Sequence, residues 1–158
     1  MSNPFLSIVI PVYNGLSNCL PKCLDSIWEQ SLDKDTYEVI CIDDCSTDDT
    51  RSWLKEQQKE HGNLVVIENE KNVRQGGARN KGVRAARGKY ICFIDQDDYY
   101  HRDSITLVYN HLSKNDLEIL IVDCAYQSPG KESNALQHNF QHREVMTGDE
   151  QIEKNSIP

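Results

Sequence analysis

The sequence predicts an α/β fold, with a mostly parallel, Rossmann-like sheet flanked by helices, and three observations carry that expectation. Short apolar, β-branched-rich runs recur at residues 6–11, 37–42, 64–67, 90–94 and 118–122, each of strand length. Between them lie helix-length segments at 16–30, 47–60, 75–87 and 103–113, several opening on Ser, Thr or Asp. Strand and helix patterns that alternate in this way build parallel sheets, because each crossover returns the chain to the same end. Polar and acidic residues follow directly on the strand runs, where an open α/β sheet forms its ligand crevice.

The first run closes at Pro11 and delivers Tyr13 and Asn14 to a strand end; the second delivers Asp43 and Asp44. In the third helical segment Ala78, Gly82, Ala85 and Ala86 recur at helical spacing, a face of small side chains that lets a helix approach a sheet closely. Lys81, Arg84 and Arg87 read as its solvated surface. Arg74 and Arg79 stand nearer the helix start, where backbone N–H groups and the helix dipole favour an anion, and are the phosphate candidates. Gly76 and Gly77 are compatible with close backbone approach there. The fourth run, Tyr90 to Ile94, leads straight into Asp95, Gln96, Asp97 and Asp98. Beyond residue 122 the chain turns polar, with Ser128, Pro129 and Gly130 and then many Gln, His and Asn; residues 146–154 are compatible with a short helix capped at Thr147, with Glu150 at capping-box spacing.

A length of 158 residues fits one core. With 17 basic against 25 acidic side chains and a net charge of -8, a broad nucleic-acid-binding face is disfavoured, although local basic clusters can still hold phosphate. The apolar runs are too short to span a membrane and no early segment has the pattern of a signal peptide, so a soluble, cytoplasmic chain is expected. Six cysteines, Cys19, Cys23, Cys41, Cys45, Cys92 and Cys124, include no CxxC and read as reduced thiols, with Cys41 and Cys92 inside strand patterns. The spacing of Cys19 and Cys23 reads as helix packing rather than metal ligation, and His138 and His142 as solvated residues.

The acidic cluster is the sharpest chemical signal. In extended chain, Asp95 and Asp97 face one side and Gln96 the other, so two carboxylates share a crevice. A hard divalent ion, Mg2+ or Mn2+, relieves their repulsion, taking one or two carboxylates, waters and the oxygens of a nucleoside diphosphate. Asp98 and Asp103 are as readily explained as turn or cap residues. Tyr13 can stack on a base, and an Asp can accept from a base N–H or a ribose hydroxyl. Taken singly, Tyr13 and Asn14 suit an ordinary turn, and Asp43, Ser46 and Asp48 a helix cap.

Together, Pro11-Val12-Tyr13-Asn14, Asp43-Asp44-Cys45-Ser46-Thr47-Asp48, Gly76-Gly77-Ala78-Arg79-Asn80-Lys81-Gly82 with Ala86-Arg87-Gly88, and Asp95-Gln96-Asp97-Asp98 resemble the family 2 glycosyltransferases of GT-A fold. The resemblance covers roughly residues 1–125, the expected nucleotide-sugar-binding core, and leaves 126–158 as a polar, loop-rich start of an acceptor-side region. It implies transfer of a sugar from a nucleoside-diphosphate sugar, a UDP-sugar first among them, to a saccharide or other hydroxyl acceptor. It further implies that Pro11 and Tyr13 border the nucleoside, Asp44 contacts base or ribose, Asp95 lies on the ribose side, Asp97 holds the metal (Mn2+ or Mg2+, the DxD role), and Arg79 serves the diphosphate. A peripheral membrane location of the full-length protein is compatible with it.

Three departures stand out: Cys45 where the family usually has Gly, Gly15 where an acidic residue is frequent, and Gln96 where a small residue is common. The family's inverting members take their catalytic base from a later segment. Asp123, Glu132, Glu144, Asp149 and Glu150 lie downstream but in no family motif, so the catalytic residue is unassigned and the chain is expected to be a fragment that binds donor but transfers poorly. Two other classes fit parts of the pattern. A non-catalytic, Mg-binding receiver-like signalling domain would use Asp43 and Asp44, and a phosphatase with a DxD nucleophile would use the later cluster, although Tyr99 stands where such enzymes place Thr.

Overall fold

The computed structural model describes residues 3–115 and 117–120. Four strands, β1 (Leu6–Val12), β2 (Tyr37–Asp43), β3 (Leu64–Glu68) and β4 (Tyr90–Phe93), form one sheet in the order β3-β2-β1-β4, parallel throughout. Four helices alternate with them: α1 (Leu20–Trp28), α2 (Thr50–Glu60), α3 (Arg74–Ala85) and α4 (Ser104–Leu112). The predicted alternation and parallel sheet are thus observed. The expected strand at 118–122 differs: Glu118, Ile119 and Leu120 adopt no strand, and the remainder lies outside the described residues, as do the expected 146–154 helix, Cys124, His138 and His142.

Every residue of β1 and β2 is buried, which is why both read as near-continuous apolar runs rather than alternating ones. β3 and β4 flank them and are only partly covered among the described residues. Val9, Ile40, Ile42 and Ala78 form a buried cluster beneath α3, with Val65, Ile67, Ala85 and Ala86 around it. The small-residue face does what its composition predicts. A Cβ on Gly82 would overlap Val9 and come within 2.8 Å of Ile42, so hydrogen at this position lets α3 lie directly on the central strands. Leu20, Cys23, Leu24 and Ile27 of α1 are buried, and Cys23 lies near Cys41 on the alternate face of β2.

Ser7 of β1 and Glu38 of β2 form one network at the N-terminal edge of the sheet. Ser7 Oγ donates to Glu38 Oε1 (2.7 Å), Arg87 binds Glu38 through its backbone N–H (2.7 Å) and guanidinium (2.7 and 2.9 Å), and Gly88 N–H donates to Ser7 Oγ (2.8 Å). Ser7 and Arg87 hold the Glu38 carboxyl below its ordinary range, overcoming the opposing and largest single influence, burial. Arg87 is therefore a structural ion-pair partner and not merely solvated surface. Gly88 passes so close to β1 that a Cβ would lie 2.7 Å from the backbone at Leu6 and Ser7.

The chain divides into two compact units between Asn110 and His111. In the second unit, Asn115 Nδ2 donates to the His111 carbonyl (2.8 Å). No helix among the described residues is long and apolar enough to cross a membrane.

Candidate active site at the carboxyl ends of the strands

At the C-terminal edge of the sheet, the ends of β1, β2 and β4 and the start of α3 enclose a cavity of about 180 Å³. Its walls are Pro11, Val12 and Tyr13 after β1, Asp44 after β2, Gln75 and Ala78 on α3, and Asp95, Gln96 and Asp97 after β4. Strand β1 lies between β2, which leads outward to β3, and β4 on the other side, so the cavity sits where the sheet's winding changes direction. Pro11, Tyr13, Asp44, Asp95 and Asp97, singled out from sequence, all border it. Arg79 stands just behind, paired with Asp95. Arg74 is exposed at a left-handed φ of 63° and does not line the cavity.

Each wall is fixed by bonds that sequence spacing does not disclose. Asp44 accepts at Oδ1 from Asn69 Nδ2 (2.8 Å) and from the Val73 N–H at the entry to α3 (2.9 Å), so one carboxylate oxygen ties β2 to that helix. Lys81 continues the chain, donating to Asn69 Oδ1 (2.7 Å) and the Glu68 carbonyl (3.0 Å); it is a tether rather than a solvated lysine. Asn14 takes a φ of 48°, accepts at Oδ1 from the Thr47 N–H (2.7 Å) and donates its own N–H to Ser46 Oγ (2.9 Å). Cys45 also lies at positive φ, 65°, which explains in backbone terms why glycine suits that position; its Sγ contacts the Asn69 carbonyl at 3.1 Å.

The acidic segment is not the extension of β4 that a period of two assumes. β4 ends at Phe93, and a turn closed by Asp98 N–H on the Asp95 carbonyl (3.0 Å) presents Asp95, Gln96 and Asp97 to one cavity. Gln96 therefore does not face away. Its amide holds both backbone groups of Tyr13, accepting from N–H at 2.9 Å and donating to C=O at 3.0 Å. Asp95 Oδ1 accepts from Gln75 Nε2 (2.8 Å) and from Arg79. Partial desolvation, then the charges of Asp97 and Asp95, raise the Asp98 carboxyl above its ordinary range. Burial, then Asp98, Asp97 and Asp95, push the Cys23 thiol up to about 12.

Sequence reasoning passed over Gln75 and Gln96. The signal for Gln75 was its i, i+4 spacing with Arg79, which sends both side chains to Asp95. Gln96 was misassigned because strand geometry was carried past the strand's end. The Asp43 carboxylate, which a receiver-like site would need, is unavailable: the residue is fully buried, with Oδ1 on the Ser46 N–H (3.2 Å) and Oδ2 on Arg51 (2.8 Å).

Residues 7–157 match the model of glycosyl transferase family 2. Among curated relatives, a poly(ribitol-phosphate) beta-glucosyltransferase of Bacillus spizizenii is 41% identical over 117 residues, 73% of this chain and 18% of the relative. Among solved structures, S. aureus TarS 1-349 in complex with UDP-GlcNAc superposes with a TM-score of 0.66 at 27% identity, covering 80% of this chain and 38% of that one. The mannosyltransferase PcManGT of Pyrobaculum calidifontis, in complex with GDP-Man and Mn2+, gives 0.65 at 26% identity, covering 74% and 34%. The chain thus spans less than half the length of each.

Proposed function

The chain belongs to glycosyl transferase family 2, and from that premise we propose that the strand-end cavity binds a nucleoside-diphosphate sugar with a divalent cation and presents its sugar for transfer to an acceptor hydroxyl. The observation that carries this reading is the convergence of Tyr13, Asp44, Asp95 and Asp97, from three separate strand ends, on one crevice. The receiver-like alternative gains nothing from the family match and loses its carboxylate to Arg51.

In this reading the exposed Tyr13 ring and Pro11 flank the base, and Asp44, anchored through one oxygen, offers the other to base or ribose. Asp95, steadied by Gln75 and Arg79, meets the ribose side, and the Arg79 guanidinium paired with it is the candidate for the diphosphate. The residues fit a Mn2+ or Mg2+ ion. Asp97 borders the cavity, and the Asp98 carboxyl is raised first by burial and then by the charges of Asp97 and Asp95, the second of which a cation would offset. Among the described residues no group of three ligating side chains gathers, so substrate phosphates and waters would have to complete the shell. Bound there, the cation would neutralise charge on the departing diphosphate. Asp123, Glu132, Glu144, Asp149 and Glu150 lie outside the described residues, and the acceptor base stays unassigned.

The related structures hold UDP-GlcNAc in one case and GDP-Man with Mn2+ in another, which favours a nucleotide-sugar donor; a UDP-sugar first, and a saccharide or other hydroxyl acceptor, are what the family resemblance implies. The free thiols Cys19, Cys23, Cys41, Cys45 and Cys92 suit a reducing, cytoplasmic compartment, with peripheral attachment to a membrane compatible with it. Titration calorimetry with UDP and GDP, with and without Mn2+, tests the proposal. Metal-dependent binding that Asp97→Asn weakens about tenfold or more is expected; a folded chain that binds neither nucleotide would refute it.

A further inference from the structure

The pairing of β1 with β4 runs from Leu6 opposite Tyr90 to Val9 opposite Phe93, followed by one last bond from the Ile94 N–H to the Val9 carbonyl (3.2 Å). Beyond it the backbones part, and the β4 side would lose its hold on the end of β1. Gln96 restores that hold. A primary amide carries one acceptor and one donor group in a plane, as a peptide does, and Gln96 applies both to the N–H and C=O of the same residue, Tyr13.

Two features show that the fit is specific. Gly15 is buried, and a Cβ there would lie 2.8 Å from Gln96 Oε1, so the absence of a side chain at 15 makes room for the amide at 96. Tyr13 is 46% exposed, so packing alone does not place its ring. Its direction follows from its backbone, clamped by Gln96 on one side and, through Asn14, by Ser46 and Thr47 on the other. Because Gln96 stands between Asp95 and Asp97, the same residue joins the base side of the cavity to the acidic turn.

We propose that Gln96 is a positioning residue that sets Tyr13 as the platform for the nucleobase. The proposal rests on the nucleotide-binding reading above and adds a residue whose effect on the base passes through Tyr13. It separates the two halves of the donor site: loss of the amide should harm recognition of the base and spare recognition of metal and phosphate.

The test compares Mn2+-UDP with Mn2+-pyrophosphate, by calorimetry, in the native chain, Gln96→Ala, Tyr13→Ala and the double variant. Gln96→Met, which keeps the bulk and removes both hydrogen bonds, replaces the alanine variant if that one unfolds. Gln96→Ala is expected to weaken UDP about tenfold and pyrophosphate less than twofold, with no further loss when added to Tyr13→Ala. Equal weakening of both ligands, full additivity with Tyr13→Ala, or unchanged UDP affinity would overturn the proposal. Failure of the native chain to bind UDP or GDP would instead refute the nucleotide-binding reading itself.

Discussion

Cys45 bears a Cβ at a φ of 65°, a conformation that costs an L-residue about 1–2 kcal/mol and glycine almost nothing. Its thiol contact with the Asn69 carbonyl returns only part of that. Cys45→Gly is therefore expected to raise stability by about 1 kcal/mol, read as a higher urea midpoint at unchanged slope, whereas Cys45→Ala keeps the strain and lowers it. A fall in midpoint for the glycine variant would mean that the thiol contact outweighs the backbone cost. Residues like this one mark the limit of what a lone sequence discloses. The unusual Cys45 was visible, but its positive φ was not; the acids Asp44, Asp95 and Asp97 were legible as cavity residues because strand ends were legible. Asn69 and Gln96 are amides with many possible partners, and nothing in their spacing selects one; Gln75 alone carried a signal, its i, i+4 spacing with Arg79.

Helix α3 shows how an element turns composition into position. Its small face was readable from Ala78, Gly82, Ala85 and Ala86, and the structure places Ala78 and Gly82 against the central strands. Gly82→Ala should cost about 1–3 kcal/mol by overpacking against Val9 and Ile42, and should weaken nucleotide binding as well, because α3 carries Gln75 and Arg79 to Asp95. Stability unchanged in chemical denaturation would show that the helix can lift away without loss. At the opposite edge of the sheet, Glu38 links stability to pH. Its folded-state carboxyl titrates below its unfolded value, so the stability it supplies is present above the ordinary Glu value near 4.5 and is lost as pH falls through the folded value. Glu38→Gln should be less stable than the native chain at pH 7, with the gap closing below about pH 4; a gap independent of pH would contradict the assigned ionisation. Strand bounds were legible to within a residue in β1 to β4, in the partly covered flanking strands as well as in the buried central pair. They failed at 118–120, where an apolar run is not a strand, and at Asp95 to Asp98, where a turn replaces the assumed strand geometry.

In the molecule as a whole, the two edges of one parallel sheet divide the labour. The N-terminal edge is closed by a satisfied network of Ser7, Glu38, Arg87 and Gly88, and the C-terminal edge stays open over β1, β2 and β4 with its polar groups aimed inward. That asymmetry follows from parallel connectivity, which brings every strand end to the same side. It explains why four motifs scattered between Pro11 and Asp98 form one cavity, and why the family resemblance could be stated from sequence before any contact was known. Acceptor recognition depends on pocket shape, which short motifs do not encode. The most direct test is a crystal structure of the chain with UDP and Mn2+. The base is expected against Tyr13, the ribose between Asp44 and Asp95, and Mn2+ at Asp97 beside the diphosphate; nucleotide bound away from this cavity, or metal bound without Asp97, would contradict the proposed donor site.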